Sequence, residues 1–277
     1  MVCFRFMTSL VHPTQSLQKA CYQALMAQDP TEKCKLTLAL SQKFNQNFLE
    51  IDHKPPEQIS VPGRPKKPKL VLPKHLKKRG IATQTGRNHL MHAVAHIEFN
   101  AINLALDAVY RFANQPRQFY VEWLRVAEEE AKHFKLVSQY LKSNSIAYGD
   151  FPAHDGLWDM CLRTSEDILA RMALVPRVLE ARGLDVTPSL IEKLIQAKDD
   201  KAADVLQLIY EEEIDHVRIG SDWFVYHCHQ RKLEPKNTFL YYVKKYLHGE
   251  LRGPFNLTAR QKAGFTEVEL KYLQDHY

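Results

Sequence analysis

The sequence predicts an all-α protein, and three observations carry this prediction. Apolar residues recur every three or four positions through long runs near 87–113, 117–142 and 199–230. Glycine is scarce, with 10 residues in a chain of 277, and no stretch convincingly alternates polar and apolar residues as a strand would. A short Glu-x-x-His pattern occurs once in each of two of these runs, which suggests paired helices that share one site.

The chain divides into four predicted segments. Residues 1–54 form an N-terminal helical extension, in which Asp29 caps a helix that begins at Pro30 and has Glu32 at its third position. Residues 55–84 form a linker rich in proline and lysine. Residues 85–232 are predicted to form a four-helix bundle, and residues 233–277 a C-terminal helical extension packed on that bundle.

The linker carries the basic charge of the chain. Residues 61–80 hold eight basic side chains and no acid, so subtracting them from the net charge of +6 leaves −2 for the rest. Its prolines predict an extended strap laid over the surface. Its lysines could instead contact phosphate, and the candidates for nucleic-acid binding are Lys66, Lys67, Lys77 and Lys78. We favour the strap, because few aromatic residues are interleaved for base stacking.

Four long helices are predicted in the central segment, over about 87–113, 117–142, 157–183 and 199–230. A polar loop at 143–156 is long enough to cross the length of a bundle. Within the third helix, Pro176 is expected to cause a kink and Gly183 to end the helix. Thr187 and Pro188 are then expected to open a short helix that reaches about Ala197.

The repeated motif places chemistry on these helices. Glu130 and His133 are three positions apart, as are Glu213 and His216, so each pair lies on one helical face and can grip one metal ion. The other two helices each carry one acid on the apolar face: Glu98 and Glu180. In chain order, the four helices supply Glu, Glu-x-x-His, Glu and Glu-x-x-His, the ligand set of dinuclear carboxylate helix bundles.

Charge explains why this set predicts metal. An ionised carboxylate isolated in an apolar core is very costly, so four together must be protonated or neutralised. Two divalent cations would balance four carboxylates. A single motif is weak, since Glu50-x-x-His53 has the same spacing but abuts two prolines, and we assign it no metal. Glu128 and Glu129 are expected to be ordinary surface acids.

The predicted metal is iron, with manganese or zinc as alternatives. Carboxylate and imidazole suit all three ions, and no thiolate set is available for a structural zinc site. Two iron ions could share a two-electron reaction with O₂ or peroxide. Manganese or zinc would favour redox-quiet hydrolytic work.

The same motifs resemble the ferritin-like superfamily, and within it a family of bacterial proteins of unknown function. The likeness lies in residues 91–98, 128–134, 176–185, 211–217 and 253–257, and covers roughly residues 85–265. It implies a ferritin-like four-helix bundle with extra terminal helices and a dinuclear iron site at Glu98, Glu130, His133, Glu180, Glu213 and His216. A more distant likeness is to the di-iron tRNA-modifying hydroxylase.

Four functions therefore stay open. The first is an O₂- or peroxide-dependent di-iron oxidoreductase of hydroxylase type, acting on an unknown small molecule or modified nucleoside. The second is a non-redox dinuclear metal protein, hydrolytic or merely metal-binding. The third is an iron-storage shell, disfavoured because the terminal extensions and strap would have to fit a cage wall. The fourth is an RNA-associated modification enzyme.

A cytoplasmic location is expected. The five cysteines are odd in number and lack CxxC spacing, which is typical of a reducing compartment. No apolar run approaches the roughly 20 residues needed to span a membrane, and the N-terminus lacks the features of a signal peptide. Either Met1 or Met7 could be the start. Oligomeric state and electron donor stay open.

Overall fold

The structure, a computed structural model, describes residues 15–54, 57–76, 79–248 and 251–277. Lys77 and Lys78 of the predicted nucleic-acid contacts lie outside these ranges, as do both candidate start residues. The described chain is mostly helical, so the all-α prediction is confirmed. No helix in these ranges is long and apolar enough to cross a membrane.

The helices follow one another with short connections, apart from the strap and the segments at 144–155 and 248–256. In chain order they are α1 (Leu17–Met26), α2 (Pro30–Asn45), α3 (Gln84–Arg111), α4 (Arg117–Ser143), α5 (Gly156–Arg163), α6 (Ile168–Leu174), α7 (Ala181–Gln196), α8 (Asp200–Gln230), α9 (Pro235–Leu247), α10 (Leu257–Lys262) and α11 (Glu267–His276). A π-helical turn (Val175–Glu180) joins α6 to α7, and a 3₁₀ turn (Pro73–His75) precedes α3.

The N-terminal extension packs on the central helices. The predicted start of α2 is confirmed, because the Asp29 carboxylate accepts a hydrogen bond from the Glu32 amide at 2.8 Å. α1 lies against α3, and α2 lies against α4. Two very short parallel strands, β1 (Gln15–Ser16) and β2 (Leu49–Glu50), close this extension.

The linker runs along the body as a strap. The Gly63 amide donates to the Leu25 carbonyl at 3.0 Å, and the Trp158 indole donates to the Ser60 carbonyl at 3.0 Å. A Cβ on Gly63 would lie 2.2 Å from the Met26 carbonyl, so only glycine permits this close approach. Lys66 and Lys67 stay exposed. These two hydrogen bonds hold the linker against α1 and α5.

The third predicted helix is interrupted, which corrects the prediction of one helix over 157–183. The chain leaves helical conformation between Arg163 and Ile168, where the Asp167 carboxylate caps α6 by accepting from the Leu169 amide at 3.1 Å. Gly183 does not end a helix, since α7 continues through it and through Pro188 to Gln196. No separate helix opens at Thr187.

Pro176 lies inside the π-helical turn. It has no amide hydrogen to donate, so the regular i to i−4 ladder is broken there, and the backbone widens by one residue. The expected irregularity before Glu180 is therefore present, as a π turn. On α8, Gly220 faces Pro176 so closely that a Cβ would lie 2.2 Å from the proline ring.

A buried ion cluster ties α3 to α6. The fully buried Asp107 carboxylate accepts from Arg171 at 2.7 Å and from Arg111 at 2.7 Å. Burial alone would raise the pKa of Asp107, but the two guanidinium groups outweigh it and hold that pKa below its usual value. This network fixes the start of the run that leads into the π turn.

Candidate metal centre

Three helices bring together five of the six predicted ligands. Glu98 comes from α3, Glu130 and His133 from α4, and Glu213 and His216 from α8. One donor atom from each of Glu98, Glu130, His133 and Glu213 lies within 4.8 Å of the others. Because α3 packs on α4 and α4 on α8, the apolar stripes that carry these residues face one another.

The Glu130 carboxylate lies at the centre of the group. Its Oε1 is 3.0 Å from Nδ1 of His216, and its Oε2 is 3.5 Å from Nδ1 of His133. His133 Nδ1 is also 3.3 Å from Glu98 Oε2, and His216 Nδ1 is 3.5 Å from Glu213 Oε1. Both imidazole rings therefore turn the same nitrogen, Nδ1, toward the carboxylates.

Burial of the group is nearly complete. Glu130, His133 and His216 are fully buried and Glu98 is 3% exposed, while the Glu213 side chain keeps 13% exposure. Water is thus largely replaced by protein around four of these five side chains. The residual exposure at Glu213 marks the side of the group nearest to solvent.

Glu180, the last residue of the π turn, lies outside the four-atom cluster but next to it. Its Oε2 is buried and has no hydrogen-bond partner in the described chain. Burial raises the pKa of Glu180 well above its usual value, and the negative charges of Glu213 and Glu130 raise it further. The π turn therefore points this carboxylate toward the same charged group.

Two further carboxylates hold the outer nitrogens of the histidines. Nε2 of His133 is 2.7 Å from Glu212 Oε2 on α8, and Nε2 of His216 is 2.7 Å from Glu129 Oε2 on α4. Each motif thus orients the histidine of the other motif. A carboxylate on the far nitrogen fixes the ring and its tautomer, and so leaves Nδ1 free to ligate a metal. Lys132 donates in turn to Glu212 at 2.5 Å.

The expectation that Glu129 is an ordinary surface acid is wrong. Its side chain is 25% exposed, but one oxygen reaches across to His216. The sequence did contain a usable signal, because both motifs read Glu-Glu-x-x-His: Glu129 precedes Glu130 as Glu212 precedes Glu213. The role of the first glutamate depends on a contact with the opposite helix.

The carboxylates of the group shift one another's pKa values. Burial raises the pKa of Glu98 and of Glu213, and the charge of Glu130 raises both further. Burial would likewise raise the pKa of Glu130, but the neighbouring imidazoles of His133 and His216 hold that pKa well below its usual value. The carboxylates therefore compete for positive charge.

When no metal ion is bound, the protonated histidines supply that positive charge. Burial lowers the pKa of His133, but the adjacent carboxylates of Glu130 and Glu98 raise it to about 11 overall. For His216, burial is outweighed by the charge of Glu213 and by the bond to Glu129, so its pKa is also raised. A metal ion would displace these protons, because its ligands must be deprotonated.

The unpaired atoms fit a metal. Four buried atoms of the group make no hydrogen bond of normal geometry in the described chain: Glu98 Oε2, Glu130 Oε2, Glu180 Oε2 and His133 Nδ1. Three of them face one another, because His133 Nδ1 lies 3.3 Å from Glu98 Oε2 and 3.5 Å from Glu130 Oε2. Buried polar atoms are nearly always paired, so four orphans on one group of side chains indicate a missing partner. The buried Glu/His group could hold a metal ion, and its nitrogen and oxygen donors suit iron, manganese or zinc.

The other motif residues lie elsewhere. Glu50 lies in β2 and His53 follows in non-helical chain, where His53 Nδ1 is 2.8 Å from Asn114 Oδ1. The spacing of this third motif is therefore not helical, as expected. Lys66 and Lys67 lie on the strap and do not belong to the Glu/His group.

Comparison with known proteins finds relatives without an established activity. The family described as "Protein of unknown function (DUF455)" matches residues 26–271, which include all six predicted ligands and both outer carboxylates. An "Uncharacterized protein" of Haemophilus influenzae is 43% identical over 280 residues, covering 97% of this chain and 96% of the relative. No solved structure matches the chain.

Proposed function

This chain belongs to the family DUF455, and from its site we propose that it is a dinuclear iron protein that uses O₂ or peroxide to oxidise a substrate. One observation carries the proposal. Glu98, Glu130, His133 and Glu180 each hold a buried ligand atom that makes no hydrogen bond of normal geometry, and the first three belong with Glu213 to one Glu/His cluster.

The helices that carry the ligands would form a ferritin-like four-helix bundle. α3, α4 and α8 would supply three of its helices, and the run from α6 through the π turn into α7 the fourth. In support, α3 packs on α4, α7 on α8, and α4 on α8. The set of ligands, one Glu from each of two helical elements and a Glu-x-x-His from each of the other two, is the one found in such bundles.

The six side chains would divide between two ions. Glu98 and His133 would bind one, and Glu180 and His216 the other. Glu130 and Glu213 would lie between them, because Glu130 contacts both histidines, and Glu213 belongs to the four-atom cluster and also reaches His216. Four carboxylates would balance two divalent cations.

A bound pair of iron ions would supply two electrons to O₂ or take part in reaction with peroxide. The chain's own residues prepare the site. Glu212 and Glu129 keep each Nδ1 directed inward. Glu98, Glu130 and His216 are buried, as is His133, so the protein largely excludes water from this group. A dry surrounding strengthens the electrostatic interactions within the site.

A non-redox role with manganese or zinc is the second candidate, because the donor set accepts those ions equally well. An RNA-associated reaction is a further alternative, supported only by the exposed Lys66 and Lys67 of the strap. The redox and non-redox candidates differ in whether the metal-loaded protein consumes O₂.

The test begins with protein purified without chelators and analysed for bound metal. The metal-free protein is then loaded anaerobically with Fe(II), and O₂ consumption and the absorption spectrum are followed after mixing with air-saturated buffer. We expect O₂ uptake with Fe(II), none with Mn(II) or Zn(II), and loss of metal in His133→Ala/His216→Ala. Iron that stays ferrous in air would refute O₂ activation, and purified protein holding only zinc would favour the hydrolytic candidate.

A further inference from the structure

A groove outside the metal centre lies between α2 and α4. It encloses about 610 Å³, within the range of about 300–1,000 Å³ typical of small-molecule pockets. Its walls are mainly apolar and include Cys34, Leu38, Ala39 and Phe134. A second cavity of about 500 Å³ adjoins it, since Leu38 lines both.

The rim of this groove is positively charged. Lys35, Lys135 and Lys142 line it, and none of its lining residues in the described chain is acidic. Lys35 lies 3.8 Å from the Glu32 carboxylate, so part of its charge is balanced. Neither Lys135 nor Lys142 has a carboxylate within ion-pairing distance in the described ranges. An apolar trough under two free cations is complementary to an apolar molecule that ends in an anion.

The groove also contains an unpaired polar group, the hydroxyl of Ser138. The Ser138 hydroxyl is buried and has no hydrogen-bond partner in the described chain, and the residue lines the groove one turn of α4 before Lys142. Leaving a buried hydroxyl unpaired is unfavourable. A ligand oxygen held by Lys142 and Lys135 would be the natural acceptor for this donor.

We propose that the α2–α4 groove binds a small amphipathic organic acid, with its apolar body against Leu38 and Phe134 and its carboxylate or phosphate between Lys135 and Lys142. This binding needs no metal, so it stands apart from the proposed iron chemistry. The site nevertheless borders the centre: Phe134 follows His133 on α4, and Glu129 lines the adjoining cavity. The occupied groove would thus lie beside the helix that carries Glu130.

The test uses the full-length, metal-free protein and three probes of one chain length: decanoate, decyl phosphate and decanol. Binding is measured by isothermal titration calorimetry. The variant Lys135→Gln/Lys142→Gln removes the rim charges, and Ala39→Trp fills the groove. The matched control is Lys43→Gln/Lys201→Gln, which removes two exposed lysines outside the groove. Circular dichroism and thermal melting check that each variant folds.

We expect at least one of the two anions to bind, with decanol binding more weakly. The Lys135→Gln/Lys142→Gln variant should bind that anion about 2- to 30-fold more weakly, the range for losing two exposed ion pairs, and the control should match the original protein. Ala39→Trp should abolish binding. Preference for one anion identifies the head group as carboxylate or phosphate. Equal binding of decanol, unchanged binding in the rim variant, or no binding of either anion would overturn the proposal.

Discussion

Gly220→Ala tests whether helix packing positions the centre. This substitution touches none of the predicted ligands, yet its Cβ would lie 2.2 Å from both Cβ and Cγ of Pro176. Ordinary van der Waals contact begins near 3.4 Å, so α8 and the π turn must separate by about 1 Å, because a buried proline ring cannot swing away. Glu180 lies on one of these elements and His216 on the other.

The displacement exceeds what a metal site tolerates. Functional sites hold their groups to within about 0.5 Å, so a shift of about 1 Å between Glu180 and His216 should weaken metal binding by about tenfold or more. Overpacking costs about 1–3 kcal/mol, and the better helix propensity of alanine returns about 1 kcal/mol. The net loss of unfolding free energy should therefore be about 0–2 kcal/mol.

Gly183→Ala is the matched control. Gly183 also lies within a helix, but a Cβ there meets nothing within 4 Å, so the substitution should gain helix propensity without strain. Metal per chain is measured by mass spectrometry after equal loading, and stability by urea unfolding. Metal content and stability in Gly220→Ala that equal those of Gly183→Ala would refute the packing argument.

Three further predictions concern other parts of the structure. Replacing Glu129 or Glu212 by Gln should weaken metal binding by about 10- to 100-fold, because the imidazole loses its orienting carboxylate; Glu128→Gln is the control, and equal affinities in a competitive chelator titration would contradict this. Asp107→Asn should lower the unfolding free energy in urea by about 3–5 kcal/mol, since it strands two buried guanidinium groups. Because the pKa of Asp107 is depressed in the folded state, its contribution should persist above pH 3.8 and fade as the pH drops further; a destabilisation under about 1 kcal/mol would count against the cluster. His53→Ala should leave metal content unchanged, and a loss as large as in the His133 and His216 variants would show that spacing alone, not helical context, selects the ligands.

Much of the centre was predictable because its ligands interrupt apolar stripes. Glu98, Glu130 and Glu213 each stand where a helix of this amphipathicity should present an apolar side chain, and periodicity reveals such positions without any structure. The same logic separated Glu50 and His53 from the other motifs, since prolines follow them at once. The Asp29 cap is equally local, so the start of α2 was predictable too.

The outer carboxylates were not predicted, for a tertiary reason. Glu129 lies one position before Glu130, and successive residues on a helix point about 100° apart. From the sequence its direction is that of a surface residue. Only the approach of α8 to α4 brings His216 within 2.7 Å of it, and a single helix carries no information about that neighbour.

The interruption of the third helix was not predicted either, for similar reasons. Glycine often follows a helix end, but Gly183 lies in the first turn of α7, which packs along α8, and that packing outweighs the weak propensity of one residue. The break before α6 depends on the Asp167 cap and on Arg171 bonding the Cys161 carbonyl at 2.7 Å. The first of these is a local signal that was missed.

The central claim is that six side chains from four helical elements hold two metal ions. Its most direct test is a crystal structure of the full-length protein loaded anaerobically with Fe(II), with anomalous difference maps collected at the iron edge. We expect two peaks about 3.5–4 Å apart, with Glu130 and Glu213 between them, Glu98 and His133 at one peak, and Glu180 and His216 at the other. A single peak, or Glu180 turned away from both ions, would contradict it.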